Sequence, residues 1–536
     1  MVDIFPLVQP RPLMLLRALA SLALAIVGAQ VARKVYRIVH RHFFSAFSRI
    51  PGPPNPSWIR GNFGRLTLGK TQEWQAQYGP TFKVHTLFSA TQLYTIDTVA
   101  LHRIINLSEI YQKAPFVRAR MSSLLGRGLL VTEDDEHTKL SPAFGLSQVR
   151  GLTQLFIDKS LELSEFWAGQ PTEADGWARI DVMVGLKAMT LDVIGLAGFN
   201  YHFNSLDKTK SATELDSAFQ QLFTQTASRN MSIRPLIRAM FPITRFVLPS
   251  SKKLTGARET MDRIGLQLLQ DAKAQTLSGE KDYDRRDLLS LLVKSNMSQE
   301  IPESQRLSDA VVVARTFLYP FLQHTTPAAT TWALYALALH PEVQTTLRAE
   351  LLSMGTDAPS VDALNGLPYL EKVVREVMRV HSPVLFTNRM ATQDDILPLG
   401  TPYTDTRGVQ QDSIFMAKGQ MIWVPIASLN RDPRIWGPDA AEFKPDRWDA
   451  VPEAANAIPG VWAHLFSFLG GPHNCIGWRF SLAEMKSLLY ILIRAFEFEL
   501  AVSPDKIATL RTAVQRPMVI GEEEKGPQLP MRVRRV

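Results

Sequence analysis

The single cysteine of this 536-residue chain, Cys475, sits in the run Phe468-Leu469-Gly470-Gly471-Pro472-His473-Asn474-Cys475-Ile476-Gly477. Directly after it, apolar residues at 482, 485, 489, 492 and 496 recur at helical spacing and share one face. A thiol at the start of a helix meets unsatisfied amide groups and the positive end of the helix dipole, both of which favour the thiolate. Gly471 and Gly477 let backbone approach the sulfur closely. Such a sulfur can bind a soft metal, attack an electrophile or ligate haem iron. The competing reading is a small buried hydrophobe, the commoner fate of a lone cysteine. One cysteine per chain excludes an intrachain disulfide and any zinc site needing two thiolates, and it fits a reducing compartment.

Charged residues recur in an ordered way upstream. Glu376 and Arg379 stand three apart in LPYLEKVVREVMRVH, hence on one helical face. Pro445-Asp446-Arg447-Trp448 follows, with Arg447 68 residues after Arg379. Taken alone, an acid and an arginine at this spacing make a solvated surface bridge worth about 0.3 kcal/mol. The order of the pair, the second arginine and the cysteine loop gives them joint meaning.

Together, Phe468, Gly471, Cys475 and Gly477 match F-x-x-G-x-x-x-C-x-G and resemble the haem loop of the cytochrome P-450 monooxygenases. The resemblance implies that the Cys475 thiolate is the proximal ligand of haem b, iron protoporphyrin IX, and pushes electron density toward bound dioxygen. It also implies that Phe468 lies against the porphyrin and that His473 stands where the family has a basic residue for a haem propionate. Arg389, in VLFTNRMAT, resembles the strand residue that reaches a propionate, a role its forked donors suit. Glu376, Arg379 and Arg447 look like the E-x-x-R and P-x-R elements, which form a charged cluster on the proximal side. Stretches such as TLDVIGLAGFNYHFNSL and TTWALYALALHPEVQ are most similar to fungal membrane-bound members. The implied activity is insertion of one atom of dioxygen into an apolar small molecule, such as a terpenoid or other secondary metabolite. Electrons would come from a separate NADPH-cytochrome P-450 reductase.

Two stretches depart from the family pattern. Where it carries a small residue, Gly, any residue, an acid and Thr, this chain has Phe321, Leu322, Gln323, His324 and Thr325. Thr325 keeps the alcohol, whereas His324 replaces the acid and is either a proton relay, a sixth iron ligand or a packed core histidine. Pro320 and Pro327 also remove helix hydrogen bonds nearby. In DDEHTKLSPAFGLSQVR, His137 is followed four residues later by Ser141, where the family usually has a propionate-pairing Arg. His137 and Lys139 are left to compensate. These departures sustain an alternative: a haem-binding relative with impaired oxygenase activity, or a haem-thiolate isomerase or peroxide-using enzyme.

All these residues need a scaffold to hold them. Residues 12 to 32, PLMLLRALASLALAIVGAQVA, match the roughly 20 residues a helix needs to span a bilayer, with Arg17 near one end and able to snorkel. Arg33, Lys34, Arg37 and Arg41 follow, which by the positive-inside rule leaves the bulk of the chain facing the cytoplasm, in the endoplasmic reticulum if the resemblance holds. The expected order is a luminal segment at 1–11, an anchor at 12–32, a basic and proline-rich hinge at 33–60 and a haem-binding catalytic domain at 61–536. Of the net charge of +8, eight basic residues and one acid lie in the first 60 positions, so the rest is nearly neutral. That pattern suits membrane lipid as a partner and argues against nucleic acid.

Alternating β-branched and aromatic residues predict hairpins over 81–97 and 412–425. Periodicity near 3.6 predicts helices over 151–168, 214–229, 258–275, 308–340, 368–381 and 478–496. The fold class is therefore mainly α with a small β-sheet subdomain, a cytochrome P-450 fold behind a transmembrane anchor. Gly64 to Thr71 satisfies the P-loop pattern literally, but no apolar strand precedes it, so nucleotide hydrolysis is not expected.

Overall fold

The computed structural model describes residues 12–43, 46–125, 144–207, 213–218, 252–278, 287–297, 309, 312, 319–511 and 514–536. Strong apolar periodicity becomes helix. Six helices bear on the site: α1 (Pro12–Phe43), α2 (Leu146–Ala168), α3 (Val182–Phe199), α4 (Tyr319–Leu339), α5 (Pro368–Val380) and α6 (Trp478–Ala495). The helix expected over 258–275 lies within Lys252–Ser278. The one expected over 214–229 is helical at 214–218, and the rest of it lies outside the described residues.

α1 continues past the expected span, through the basic stretch to Phe43, and exposes Leu19, Leu22, Leu24 and Ile26. The hinge expected over 33–60 is thus helical in its first part and irregular through its prolines. α3 has the length and apolarity of a membrane span, yet 78% of it is buried inside the protein. It is a core helix, capped by the Asp181 carboxylate accepting from the Met183 amide at 3.1 Å. A Cβ at Gly185 would come within 2.5 Å of the Trp167 indole nitrogen, so α2 and α3 approach at a distance that only glycine permits here.

α4 is unbroken despite Pro327 in its interior, and Pro320 falls in its first turn, where a missing N–H costs little. Hydroxyls cover carbonyls along it: Thr330 donates to the Thr326 carbonyl at 3.0 Å and Thr331 to the Pro327 carbonyl at 2.6 Å. The central helix is α6, buried almost throughout from Leu482 to Ile493 and packed against α2 and α4.

Twelve described strands form four small sheets rather than one: β1 (Thr81–His85), β2 (Thr91–Thr95), β3 (Tyr111–Gln112), β4 (Ala178–Asp181), β5 (Thr387–Ala391), β6 (Asp395–Thr404), β7 (Gln410–Met416), β8 (Met421–Val424), β9 (Phe496–Leu500), β10 (Ile507–Arg511), β11 (Gln515–Val519) and β12 (Pro530–Arg535). The largest sheet runs β1-β2-β8-β5-β3, beside β4-β12-β9, β6-β7 and β10-β11. The hairpin expected over 81–97 forms, with Thr81 opposite Thr95. The one expected over 412–425 does not. β7 pairs with β6, whereas β8 pairs with β5 and β2. Consecutive buried residues Ile422, Trp423 and Val424 belong to an inner strand covered on both faces, while β7 alternates as a half-exposed strand does.

The charged cluster lies deep beneath this scaffold. Glu376 and Arg379 on α5 have no exposed surface, and Arg379 grips both carboxylate oxygens at 2.8 Å. The remaining guanidinium donors reach the carbonyls of Asn430 (3.1 Å), Ala440 (2.5 Å) and Glu442 (2.9 Å). Glu376 also accepts from the Lys444 amide at 2.9 Å, the Trp448 indole at 3.1 Å and Arg447 at 3.4 Å. The surface bridge that an isolated pair would suggest is in fact a fully buried, fully bonded centre. Removing one partner strands the other charge without water. Glu376→Ala is therefore expected to destabilise the protein by about 3–5 kcal/mol, read from urea unfolding followed by tryptophan fluorescence.

Candidate active site

The loop that ends in Cys475 is tied to α5 by a buried polar seam. Asn430 accepts from the Phe466 amide at 2.9 Å and donates to the hydroxyls of Ser382 (2.9 Å) and Ser467 (2.8 Å). Ser467 in turn donates to the Met378 carbonyl on α5 at 2.6 Å. The loop then folds on itself: the Cys475 amide donates to the Phe468 carbonyl at 2.8 Å, and Asn474 caps the Gly471 carbonyl through its side chain at 2.9 Å. Leu469 has φ of 56° and Gly471 of 65°. For leucine that left-handed conformation costs about 1–2 kcal/mol, strain that persists because the surroundings impose it. A Cβ at Gly471 would meet the Ile105 carbonyl oxygen at 2.6 Å, so the glycine is required both for its φ and for its proximity to backbone.

Cys475 keeps partial accessibility although protein surrounds its sulfur. Burial pushes its thiol up to about 11, and the Gly477 amide, donating to sulfur, opposes this only in part. The low thiol pKa expected from a helix N-terminus is thus not a property of the polypeptide alone: loss of water outweighs the amide and the dipole. A cation at the sulfur supplies what is missing, because a coordinating thiol is deprotonated outright.

The other expected residues come from three directions. Phe468 is buried and meets Trp462 edge-on at 5.7 Å between ring centroids. His473 lies half-buried in the loop, and Gly477 caps α6. Arg389 is buried on β5 opposite Ile422, and its guanidinium donates to the Thr387 hydroxyl and the Asn388 carbonyl, each at 3.0 Å. Ser382, which precedes β5, stands 2.9 Å from Ser467, so the strand carrying Arg389 departs from the floor of the cysteine loop. Thr325 and His324 are half-buried on α4. α4 is moored to the same floor, since Trp332 donates to the Gln515 carbonyl at 3.3 Å and the Gln515 amide donates to Pro383.

His324 does not titrate near neutrality. Burial first, then the positive charges of Arg516 on β11 and Lys187 on α3, lower its pKa to about 3, so the imidazole is neutral under ordinary conditions. His137, Lys139 and Ser141 lie outside the described residues, as do the side chains of Leu322 and Gln323. The P-loop look-alike is an ordinary helix start, with Thr67 accepting from the Lys70 amide and Lys70 paired to Glu73. Sequence reasoning missed Asn430, the join between α5 and the loop. It also missed Glu484, an acid inside the apolar run of α6 whose one available signal is its place beside Leu482 and Met485.

One thiolate donor, cations on separate elements and no described group of three or more His, Cys, Asp or Glu side chains define a class of site. It suits a metal that brings most of its own ligands, as a haem does. The chain belongs to the cytochrome P450 family: the cytochrome P450 family model matches residues 51–519. It is 45% identical over 532 residues to cytochrome P450 monooxygenase 205 of Postia placenta, covering 96% of this chain and 98% of that protein. Cytochrome P450 monooxygenase 128 of the same fungus is 44% identical over 528 residues, with 95% and 96% covered. Cytochrome P450 monooxygenase claQ of Ampulloclitocybe clavipes is 33% identical over 477 residues, with 87% and 88% covered. The protein is a haem-dependent monooxygenase of mainly helical fold with small β-sheets.

Gly471→Ala tests the loop. The added methyl needs a left-handed backbone and 2.6 Å of space that the Ile105 carbonyl occupies. Purified variant is expected to retain far less haem per chain than wild type, measured by absorbance ratio, with secondary structure by circular dichroism unchanged.

Proposed function

We propose that this protein is a membrane-held monooxygenase that oxidises an apolar small molecule, such as a fungal terpenoid or other secondary metabolite, with electrons from a separate NADPH-cytochrome P-450 reductase. The observation that carries the reading is the Cys475 sulfur, buried in a strained loop and touched by the Gly477 amide. Cys475 would hold the iron of haem b, with Phe468 against the macrocycle and Arg389 and His473 toward its propionates. When bound, the haem supplies the activation of dioxygen, with the thiolate pushing electron density toward it. The chain does the rest: the amide on sulfur tempers the charge of the thiolate, the Glu376–Arg379 centre fixes the loop, and α4 carries Thr325 past the site as the alcohol available to a proton path. A neutral His324 can accept a hydrogen bond at one ring nitrogen and donate one from the other, but it resists taking up a proton and has none to give as an imidazolium.

Support for the membrane reading is the exposed apolar surface of α1 and the basic residues that end it. A cleft of about 650 Å³ where Tyr36 of α1 meets Lys113, Arg118 and Lys418 adds positive charge at the same end, which suits an anionic membrane surface such as the cytoplasmic face of the endoplasmic reticulum. Support for the substrate class is the similarity to fungal cytochrome P450 monooxygenases and the buried apolar character of the core around α4.

Reduced carbon-monoxide difference spectroscopy of the full chain is expected to give the Soret shift of a thiolate-ligated open site, lost in Cys475→Ala. A six-coordinate spectrum indifferent to carbon monoxide would replace this reading with the blocked, haem-binding alternative. Turnover with peroxide but not with NADPH and reductase would remove the reductase as partner. Deleting residues 1–43 is expected to move the protein from the carbonate-washed membrane pellet to the supernatant.

A further inference from the structure

The cleft beside α1 combines a defined depth with a concentration of charge. With residues 12–32 filling the hydrocarbon core, Tyr36 lies four residues, or about 6 Å, beyond its edge. The polar layer on each side of that core is about 5–7 Å thick. Tyr36 therefore stands at the level of the lipid phosphates, where rings with a polar tip are favoured. Arg33, exposed and three residues earlier, lies on the same helical face.

Tyr36 forms one wall of the cleft of about 650 Å³, and the catalytic domain forms the others. Lys113 comes from the segment between β3 and the helix Pro115–Leu125, Arg118 from that helix, and Lys418 from the turn between β7 and β8. Three cations from three places thus line one space, and none of the described residues around it is acidic. Asp394 accepts the Lys418 backbone amide at 2.7 Å, not its ammonium group. Arg118 is half-buried, so its charge is only partly met by water. Like charges gathered this way repel one another until an anion joins them. The volume falls within the roughly 300–1,000 Å³ of small-molecule sites.

A second observation turns the same face toward lipid. α1 also packs on the turn Leu87–Ser89, in which Phe88 and Ser89 have left-handed φ of 56° and 57°. From that turn the Phe88 amide donates to the Ile59 carbonyl at 2.8 Å, and the Ser89 hydroxyl donates to the Trp58 carbonyl at 3.0 Å. Trp58 and Ile59 are thereby pinned to the turn that meets α1, yet their side chains remain 60% and 61% exposed. An exposed indole joined to a membrane helix in this way is placed as interfacial tryptophans are.

We propose that this cleft seats the headgroup of one anionic phospholipid of the leaflet facing the catalytic domain, with Lys113, Arg118 and Lys418 around its phosphate and Tyr36 beside it. The proposal rests on the membrane-held reading above and deepens it from a general attraction to a discrete site. The forked donors of Arg118 match phosphate oxygens, and the two lysines add point charges. Inorganic phosphate shares this chemistry, but the depth of Tyr36 assigns the site to lipid, whose phosphates lie at that level. A bound headgroup joins α1, the helix Pro115–Leu125 and the β7–β8 turn, and so fixes the tilt of the catalytic domain on the bilayer.

Lipid binding by the full-chain holoenzyme tests this. The protein in detergent micelles is titrated with short-chain phosphatidylserine or phosphatidylcholine, and bound lipid is counted by native mass spectrometry. Each lysine or arginine near an anionic headgroup contributes about fivefold. Phosphatidylserine is therefore expected to bind one per chain, at least about tenfold more tightly than phosphatidylcholine; equal affinities overturn the proposal. Lys418→Gln, in an exposed turn, should weaken phosphatidylserine about fivefold and leave phosphatidylcholine unchanged. Combining it with Lys113→Gln and Arg118→Gln should cost about a hundredfold. If the triple variant fails to take up haem, Lys418→Gln and Arg118→Gln decide singly, and wild-type affinity in both overturns the proposal. Inorganic phosphate at matched ionic strength should not displace the lipid; displacement by it overturns the assignment to lipid. Sedimentation separates this inference from the reading beneath it. A full chain that stays in the carbonate-washed membrane pellet without preferring phosphatidylserine overturns the headgroup site alone, whereas a full chain found in the supernatant overturns both.

Discussion

A carboxylate and a guanidinium sealed from water, Glu376 and Arg379, are the constraint on which the proximal half of the molecule depends. Burying such a pair is costly, and the cost is offset only when every remaining donor and lone pair finds a partner. Here the partners are backbone groups at 430, 440, 442 and 444 and the side chains of Arg447 and Trp448. The pair therefore dictates the path of an irregular stretch that has little regular structure of its own. Arg379 also lies over the Trp436 ring at 5.3 Å, which adds a cation–π contact to the same knot.

From that knot the influence runs to sulfur through one amide side chain. Asn430 reads its own carbonyl against Arg379 and its side chain against Ser382, Ser467 and Phe466. Helix α5, strand β5 and the cysteine loop consequently share one reference point. Leu469 is held in an unfavourable conformation between two segments anchored this way, which is where strain can be stored without spreading. The thiol at the end of the loop is poised to gain from a cation, since burial has raised the cost of its charge without removing the amide that favours it.

Much of the site was legible because its elements are contiguous. The loop from Phe468 to Gly477 is one run of sequence, and the spacing of Glu376 and Arg379 is one helical turn. Helix positions followed from periodicity for the same reason. Reading stopped where burial decides the outcome. His324 has an ordinary titration range on paper, and its burial first, then Arg516 and Lys187 from distant parts of the sequence, keep it neutral. The run 412–425 has the local look of a hairpin, but its two strands are claimed by different sheets, because pairing depends on which faces are covered. α3 has the composition of a membrane span and is wrapped by the protein instead. Glu484 resembles a solvated helix charge, and the fold leaves it no exposed surface.

The seam at Asn430 also sets an order of events for a chain leaving the ribosome. Its partners span positions 382 to 467, with Ser382 and Ser467 joined across 85 residues, and contacts that far apart are formed late because long loops must close first. Until residues near the carboxyl end have emerged and met α5, the sulfur has no shaped surroundings. Uptake of the pigment is then a closing step of maturation, because a chain in which Ser467 has not yet met Ser382 presents Cys475 in no fixed surroundings, however well its earlier helices have formed.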